Sequence, residues 1–446
     1  MSHQQKEMIF SLSSGAGRAG VSVFRISGEG AYQLGLSMSG KRKLKPRYAY
    51  FTKIKDVSSS IIDEGLLIYF PVPHSFTGED VIEVHCHGSL AVVKAMSVVL
   101  SELGARQAEA GEFTRRAVLN GQMDLTEAEG LADLIDSETD AQRQQALRQM
   151  QGGLSDIYSG WKERLLDALA QIEGEIDFPT EADIPDNLSH QAYPILKAIN
   201  EQMTSLLEES GRGQIIREGV YITLIGAPNS GKSSIINRLA RRDVAIVTNE
   251  AGTTRDVLSV DMIMAGLPVT LSDTAGLRVT ENHIEKEGID RAERRAVESD
   301  LRLWVLDGSK AGDVERPKQI MQGDLILINK ADLGQNIGTF DDEGLQTINI
   351  SAASGVGFDV FESRLEALVE TRFGMLPQAG LTRERHQNCV KRALDATHRA
   401  MDGLAIAPEL VSEDIRVALQ ALRELAGDAD IESVFDRIFS RFCVGK

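Results

Sequence analysis

Residues 226–233, Gly-Ala-Pro-Asn-Ser-Gly-Lys-Ser, set a glycine-rich turn between a strand-like run, YITLI, and a helix-like one. This G-x-x-x-x-G-K-S pattern constrains the fold more than any other feature of the chain. Glycines let the backbone curl until successive N–H groups converge on phosphate oxygens at a helix N-terminus. Such a turn belongs at the C-terminal end of a strand in a parallel sheet. Residues 220–372 supply that sheet: YITLIGA, PVTLSDTA, LRLWVLDGS and DLILINKAD each end in a polar turn. Within the turn, Lys232 is expected to bring positive charge to the β- and γ-phosphates, and the Ser233 hydroxyl to ligate Mg²⁺.

Further turns specify the base and the chemistry. Asn329-Lys330-Ala331-Asp332 follows the strand LILI and looks like the NKxD motif of GTP-binding proteins. A carboxylate such as Asp332 accepts two hydrogen bonds from guanine N1 and N2, a donor pair adenine lacks. Ser351-Ala352, after TINI, resembles the loop that meets guanine O6. Asp273-Thr274-Ala275-Gly276 resembles DxxG, with Asp273 expected to hold Mg²⁺ through water and the Gly276 N–H to sense the γ-phosphate. Gly252-Thr253-Thr254-Arg255-Asp256 is the expected first switch loop, with Thr254 as a Mg²⁺ ligand. Leu277 stands where Ras-like enzymes carry a water-orienting Gln, so another group must do that work. The acidic candidates are Glu281, Glu285 and Glu287. Asn229 brings a side-chain oxygen into the phosphate loop, where a bridging monovalent cation would offset charge developing near the leaving group.

The flanks have other textures. VSVFRIS (21–27), EGLLIYFPV (64–72) and DVIEVHCHG (80–88) alternate as strands do, and 90–103 has helical spacing. From about 124, Leu125, Ala128, Leu131, Leu134 and Ile135 recur at three and four residues. Leu147, Met150, Leu154, Ile157, Trp161, Leu165, Leu169, Ile172 and Ile176 continue that rhythm, which predicts long amphipathic helices with Trp161 in their core. FPTEADIPD (178–186) interrupts them, and helical spacing returns after 381. The net charge of −18 disfavours nucleic acid unless basic residues cluster locally. No apolar run reaches the ~18–20 residues of a membrane span, and the first residues lack a signal pattern, so a cytoplasmic location is expected. Cys86, Cys389 and Cys443 are too few and scattered for a disulfide framework. His85, Cys86 and His87 point alternately to opposite faces of a strand, which argues against a zinc site.

With these residues in hand, the chain resembles the bacterial tRNA modification GTPase MnmE (TrmE) family over essentially its whole length. GAPNSGKSS, AIVTNEAGTTRDV, DTAGLR and NKAD match, as do VFRISG, SFTGEDVIEVHCHG, GEFTRRAVLNGQMDLTEAEGLADLI, EIDFP and FCVGK. The resemblance implies a multidomain protein. An α/β N-terminal domain (1–120) would dimerise and bind folate; a mainly α-helical domain (121–213 and 375–446) would be split by an inserted α/β Ras-like P-loop GTPase domain (214–374). It implies a homodimer that joins an FAD-dependent partner of the MnmG type in a heterotetramer or larger assembly. The complex would convert carbon 5 of the wobble uridine (position 34) of certain tRNAs to the aminomethyl or carboxymethylaminomethyl form, with potassium-stimulated GTP hydrolysis.

Residue by residue, the resemblance assigns the phosphates to Asn229, Ser230, Gly231, Lys232, Ser233 and Ser234. It adds Thr248, Asn249, Glu250, Ala251, Gly252, Thr253 and Thr254 from the switch, and Asp273, Thr274, Ala275 and Gly276. The guanine would lie against Asn329, Lys330, Ala331, Asp332, Ser351, Ala352 and Ala353. Potassium would be held by Asn229, Thr248, Glu250 and Thr253; Glu250 replaces a usual aliphatic residue, and a backbone carbonyl serves equally well there. Glu285 aligns with the glutamate that orients the attacking water, and Arg255, Asp256 and Arg278 would couple the switches. A 5-formyltetrahydrofolate or related one-carbon folate would meet Arg25, Glu83, Gln122 and Lys446. Gln122 replaces a usual Lys or Arg, which removes one positive charge near an anionic cofactor. Cys443 matches the family's functional cysteine; its C-a-a-X spacing ends in Gly and Lys, which fits prenylation poorly. The G-x-G-x-x-G run Gly15–Gly20 leads into the strand-like VSVFRIS and not into a helix, so it is not a dinucleotide fingerprint, and FAD belongs to the partner. Two other readings are a ribosome-assembly GTPase and a GTP-binding scaffold. The first needs a basic RNA-binding module after the GTPase; the second is opposed by Asn229 and Glu285.

Overall fold

A computed structural model describes residues 7–177, 188–240, 259–273, 297–310, 315–334, 345–374, 380–404, 408–427, 438–440 and 442. The chain is multidomain and divides into two compact units: Met1–Ala132, Gln149–Leu196 and Asp395–Lys446 form one, Asp133–Arg148 and Lys197–Leu394 the other.

The first unit opens with β1 (Ile9–Leu12), β2 (Ala19–Ser27), α1 (Ala31–Ser39), β3 (Tyr50–Lys55), β4 (Ile61–Phe70), β5 (Val81–Gly88), α2 (Leu90–Glu102) and β6 (Arg106–Gln107). The sheet order is β3-β4-β5-β2-β1-β6, antiparallel except for the β1–β6 pair. Side chains alternate between its faces. Phe24, Ile26, Ile82, Val84 and Cys86 turn to one face and form a core with Leu34 and Met38 of α1 and Met96 and Leu100 of α2. Arg25, Glu83 and His85 occupy the alternate positions and therefore the opposite face. There α3 (Glu112–Leu119) brings Phe113 against Ile9, Ala108 and Phe76.

Helix α4 (Leu125–Ile135) begins in this unit, α5 (Asp140–Met150) belongs almost wholly to the second, and α6 (Gly153–Asp177) returns to the first. Asp124 caps α4 reciprocally. Its Oδ1 accepts from the Glu127 N–H at 2.9 Å, and Glu127 Oε2 accepts from the Asp124 N–H at 2.7 Å. The Tyr158 and Ser155 hydroxyls of α6 donate to the other Asp124 oxygen. The buried seam of α6 is Leu154, Tyr158, Trp161, Leu165, Ala168 and Ile172, packed on the helix Pro408–Ala426. Leu147, Met150, Ile157, Leu169 and Ile176 of the expected stripe are only half-buried. Tyr158 and Ala168 are buried where the stripe had placed Ile157 and Leu169. The break at 178–186 lies outside the described residues. Among the described residues, no helix is long and apolar enough to cross a membrane.

Helix α7 (Leu188–Glu208) begins in the first unit and continues from Lys197 in the second, where it and α8 (Ser210–Glu218) precede a sheet in the chain. The sheet comprises β7 (Val220–Ile225), β8 (Ser259–Met264), β9 (Leu267–Asp273), β10 (Leu301–Asp307), β11 (Leu325–Asn329) and β12 (Gln346–Asn349). Its order is β12-β11-β10-β7-β9-β8, with all neighbours parallel except β8–β9. α9 (Lys232–Ala240) follows β7, and α10 (Phe358–Phe373) follows β12. Strands such as Leu-Arg-Leu-Trp-Val-Leu are buried along nearly their whole length, as a two-faced parallel sheet requires. The chain leaves β7 toward β8 and β9 on one side and returns to β10–β12 on the other. This topological switch places the ligand crevice beyond the C-terminal end of β7.

Candidate functional site

The turn after β7 has the backbone that its glycines and Asn229 allow. Gly231 sits at φ 98°, and a Cβ there would come within 2.1 Å of Asn329 Nδ2. Asn229 itself adopts φ 63°, a left-handed conformation uncommon outside glycine and asparagine. The loop runs into the N-terminus of α9, and Lys232 is the first residue of that helix.

Lys232 is 3% exposed, and its Nζ donates to the carbonyls of Gly226 (2.9 Å) and Ala227 (3.1 Å). Burial pulls its pKa below the usual lysine value, while the Asp273 carboxylate opposes that shift. The Ser233 Oγ donates to Asp273 Oδ2 at 2.8 Å. Thus the residue expected to ligate Mg²⁺ and the aspartate ending β9 present their oxygens side by side. Hard oxygen donors beside a phosphate loop suit Mg²⁺, which prefers one or two protein oxygens plus phosphates and water.

Asn329 ends β11 and is 2% exposed. Its Nδ2 donates to the Ser230 carbonyl at 2.8 Å, and its Oδ1 accepts from the Ala352 N–H at 3.0 Å. One amide therefore joins the phosphate loop to the loop after β12. Lys330 takes φ 66°, and its Nζ donates to Asp307 Oδ2 at 2.7 Å. Burial alone would raise the Asp307 pKa, but hydrogen bonds from Lys330 and Ser309 hold it below the usual carboxylate value. Asp332 is exposed at the rim, in the 3-10 turn Ala331–Leu333. Ser351 is buried and shapes its own turn, its Oγ accepting from the Ser354 N–H at 3.0 Å. Arg238 of α9 donates to the carbonyls of Ala352 (3.1 Å) and Ala353 (3.3 Å) and lies over the Phe358 ring.

Sequence reasoning missed Asp307 and Arg238, which hold Lys330 and the 351–353 loop. The polar end of LRLWVLDGS was the available signal for Asp307; Arg238 had none. Ser234 lies on α9 with Lys232 and Ser233. Thr248, Asn249, Glu250, Ala251, Gly252, Thr253, Thr254, Arg255, Asp256, Thr274, Ala275, Gly276, Arg278, Glu281, Glu285 and Glu287 lie outside the described residues, as do Cys443 and Lys446.

A second polar site lies on the sheet of the first unit. Arg25 of β2 and Glu83 of β5 are register partners. Arg25 Nε and Nη2 donate to Glu83 Oε1 at 3.0 and 2.9 Å. The guanidinium lies over the rings of Phe76 (4.9 Å) and Phe113 (5.9 Å), and His85 Nε2 is 3.6 Å from the other Glu83 oxygen. Gln122 is set against Gly78, with its Nε2 3.4 Å from the Asn120 carbonyl. The segment 76–79 is held from behind. Ser27 Oγ donates to Glu79 Oε2 at 2.7 Å, and the buried Arg116 donates to Glu79 (3.1 Å), Glu112 (2.9 Å) and the Glu7 carbonyl (2.8 Å). This set was also missed, although Glu79 and Arg116 stand inside motifs already noted, SFTGED and GEFTRRA. Cys86 is buried on the other face, and His87 pairs with Asp63 at 2.9 Å, so His85, Cys86 and His87 have separate surroundings.

Two family models match the chain: the MnmE helical domain over residues 125–443, and the GTP-binding protein TrmE N-terminus over residues 8–122. A tRNA modification GTPase MnmE of Maricaulis maris is 48% identical over 439 residues, covering 98% of this chain and 99% of that protein. The chain belongs to the MnmE family. The family's protein from Paramagnetospirillum magneticum is 45% identical over 442 residues, covering 99% of this chain and all (100%) of its own. Among solved structures, the T. maritima FeoB G domain aligns with 34% of this chain and 98% of its own, at 20% identity and a TM-score of 0.24. A score that low adds nothing to the assignment, which rests on sequence. MnmE membership agrees with the fold expected from the motifs: an N-terminal α/β domain, a helical domain and an inserted P-loop GTPase domain.

Proposed function

We propose that this MnmE-family chain binds GTP·Mg²⁺ at the crevice beyond β7 and hydrolyses it to drive modification of the wobble uridine of tRNA. The observation that carries the GTP reading is the convergence of three strand ends. The Ser233 hydroxyl ties the phosphate-loop segment to Asp273, and the Asn329 amide ties it to the Asn329-Lys330-Ala331-Asp332 turn and the loop after β12. An exposed Asp332 beside that lock suits the N1 and N2 donors of guanine. Mg²⁺ would be held by Ser233 and Thr254, with Asp273 behind it, and would supply charge stabilisation at the β- and γ-oxygens.

Lys232 leaves its carbonyl partners for the phosphates. Because burial already destabilises its charge, phosphate oxygens are strong competitors for it. Leu277 has no group to orient the attacking water, and the family resemblance gives that role to Glu285. Asn229, with Thr248, Glu250 and Thr253, holds a potassium ion against the phosphates. The exposure of Asn229 in the phosphate loop, with its left-handed backbone, supports that reading. Arg255, Asp256 and Arg278 couple the switch movements. The domain borders 1–120, 121–213, 214–374 and 375–446 belong to this proposal.

The wider reaction rests on family membership. The chain acts in the cytoplasm as a homodimer with an FAD-dependent partner of the MnmG type, and carbon 5 of uridine 34 receives the aminomethyl or carboxymethylaminomethyl group. The Arg25–Glu83 pair, whose guanidinium lies near the Phe76 and Phe113 rings, suits a flat heterocycle with N–H donors. That supports a one-carbon folate there, completed by Gln122 and Lys446, with Gln122 weakening the hold on an anionic tail. Cys443 is assigned to the modification step.

The first test is GTP turnover in potassium chloride against sodium chloride at equal ionic strength. Strong potassium stimulation is expected; equal rates would remove the cation mechanism. Glu285→Ala should keep nucleotide affinity and lose turnover, and unchanged turnover would reject that residue's role.

A further inference from the structure

The net charge of −18 is unevenly spread. The fifteen residues 41–55, KRKLKPRYAYFTKIK, hold seven Lys or Arg and no Asp or Glu. Lys41, Arg42, Lys43, Lys45 and Arg47 are all exposed, and none is ion-paired with a carboxylate among the described residues. Lys53, which pairs with Glu64 at 3.8 Å, and Lys55 follow on β3, an edge strand.

This segment is rigidly presented. Leu44 is buried in the core between α1 and the sheet and anchors the run at its middle. The Leu44 N–H donates to the Tyr32 hydroxyl (3.3 Å), the Lys45 N–H to the Tyr50 hydroxyl (2.8 Å) and the Arg47 N–H to the Tyr69 carbonyl (2.7 Å). Pro46 bridges to Tyr69, and Arg47 takes φ 54°. The backbone is thus fixed at several points while the cations project outward. Among them stands an aromatic pair, Tyr48 and Tyr50, with ring centroids 4.7 Å apart. The Lys45 ammonium lies 5.8 Å from the Tyr48 ring and that of Lys41 5.8 Å from the Tyr50 ring. Tyr48 is 50% exposed and Phe51 69%.

Uncompensated cations around exposed aromatic rings match a folded RNA: phosphates meet the ammonium and guanidinium groups, and an unpaired base stacks on a ring. On a chain that otherwise repels polyanions, such a patch also fixes where contact occurs. We propose that residues 41–51 form the face on which this chain docks tRNA, with Arg42, Lys43 and Lys45 on backbone phosphates and Tyr48 on an exposed base. This rests on the tRNA reading above and adds the place of contact.

The experiment is equilibrium binding of a fluorescent tRNA carrying uridine 34 to the full chain, alone and with its FAD-dependent partner, across a potassium chloride series. The triple variant Arg42→Ser/Lys43→Ser/Lys45→Ser is expected to bind roughly tenfold or more weakly. Each lost phosphate contact lowers the slope of log K against log salt by about 1, so the slope falls by about 3. Tyr48→Ala should weaken binding with the slope unchanged. Thermal melting and basal GTPase activity should stay at the parent values, and the single variant Lys43→Glu repeats the test if the triple variant melts early. Parent-like tRNA affinity and slope in these variants, with uridine modification intact, would overturn the docking face and leave the tRNA function standing. Absence of both tRNA binding and modification in the parent complex would overturn both. Loss of binding to phosphatidylserine vesicles with unchanged tRNA binding would instead make this a lipid-facing patch and refute the proposal.

Discussion

Replacing Asn329 with Ala tests the lock that joins the two halves of the nucleotide site. The side chain is buried, donates to the Ser230 carbonyl at 2.8 Å and accepts from the Ala352 N–H at 3.0 Å. Alanine leaves both backbone groups without partners. A buried polar group so stranded costs ~1–3 kcal/mol. Ser230 is almost fully buried and Ala352 is half-buried, so the full cost falls on the first and part of it on the second. The expected total is ~2–4 kcal/mol. If the loops keep their places in the free protein, that cost appears as lost stability of the GTPase domain. If they relax, nucleotide binding must restore them and the cost appears in Kd, as a weakening of about 30- to 1,000-fold. Calorimetric unfolding and titration with a fluorescent GDP analogue measure the two shares. Their sum is the quantity predicted. A variant whose melting and GDP affinity both stay within threefold-equivalent limits would refute the idea that this amide holds the site together. Asn329→Asp is a sharper probe: it keeps an acceptor for Ala352 but sets a carboxylate against the Ser230 carbonyl, so it should do no better than alanine.

Gly231→Ala should weaken GTP binding severely while most of the fold survives, because a Cβ at φ 98° meets Asn329 Nδ2; isothermal titration reads the loss. Arg116→Ala leaves the largely buried Glu79 without its cation, while Glu112 keeps Arg106, and should cost ~3 kcal/mol in the first unit, seen as an early calorimetric transition; Arg116→Lys should recover only part. Burial raises the Glu112 pKa, but hydrogen bonds from Arg106, the Glu109 N–H and Arg116 outweigh it and hold the value below the unfolded one. A depressed folded pKa stabilises fully above the unfolded value of about 4.3 and is lost as pH falls through the folded value, so melting temperature should drop below about pH 5. Arg106→Gln should flatten that acid-side drop, and an unchanged profile would show that the pair does not set it.

Much of the nucleotide site was legible in the chain because its parts are local. A phosphate loop needs glycines at fixed spacing, a guanine-binding turn needs its carboxylate after a strand, and each signal fits within a few residues. Helix and strand identity was legible for the same reason, since periods of 3.6 and 2 repeat over short windows. Strands β1 and β3 and helices α1 and α3 were not singled out. Their apolar patterns are short or interrupted, and tertiary packing decides them.

What the sequence determined by itself was which residues can contact phosphate, magnesium and guanine, and that a parallel sheet must carry them. Only the tertiary structure decided how they are held. Asn329 reaches Ser230 across 99 positions of sequence, and Lys330 reaches Asp307 across 23. Arg116 closes on Glu79, and Arg25 on Glu83, only because strands and loops distant in the chain become neighbours. Local pattern records backbone preference. A buried hydrogen bond between distant residues is selected by burial itself, which leaves each polar group one partner within reach and makes its loss costly.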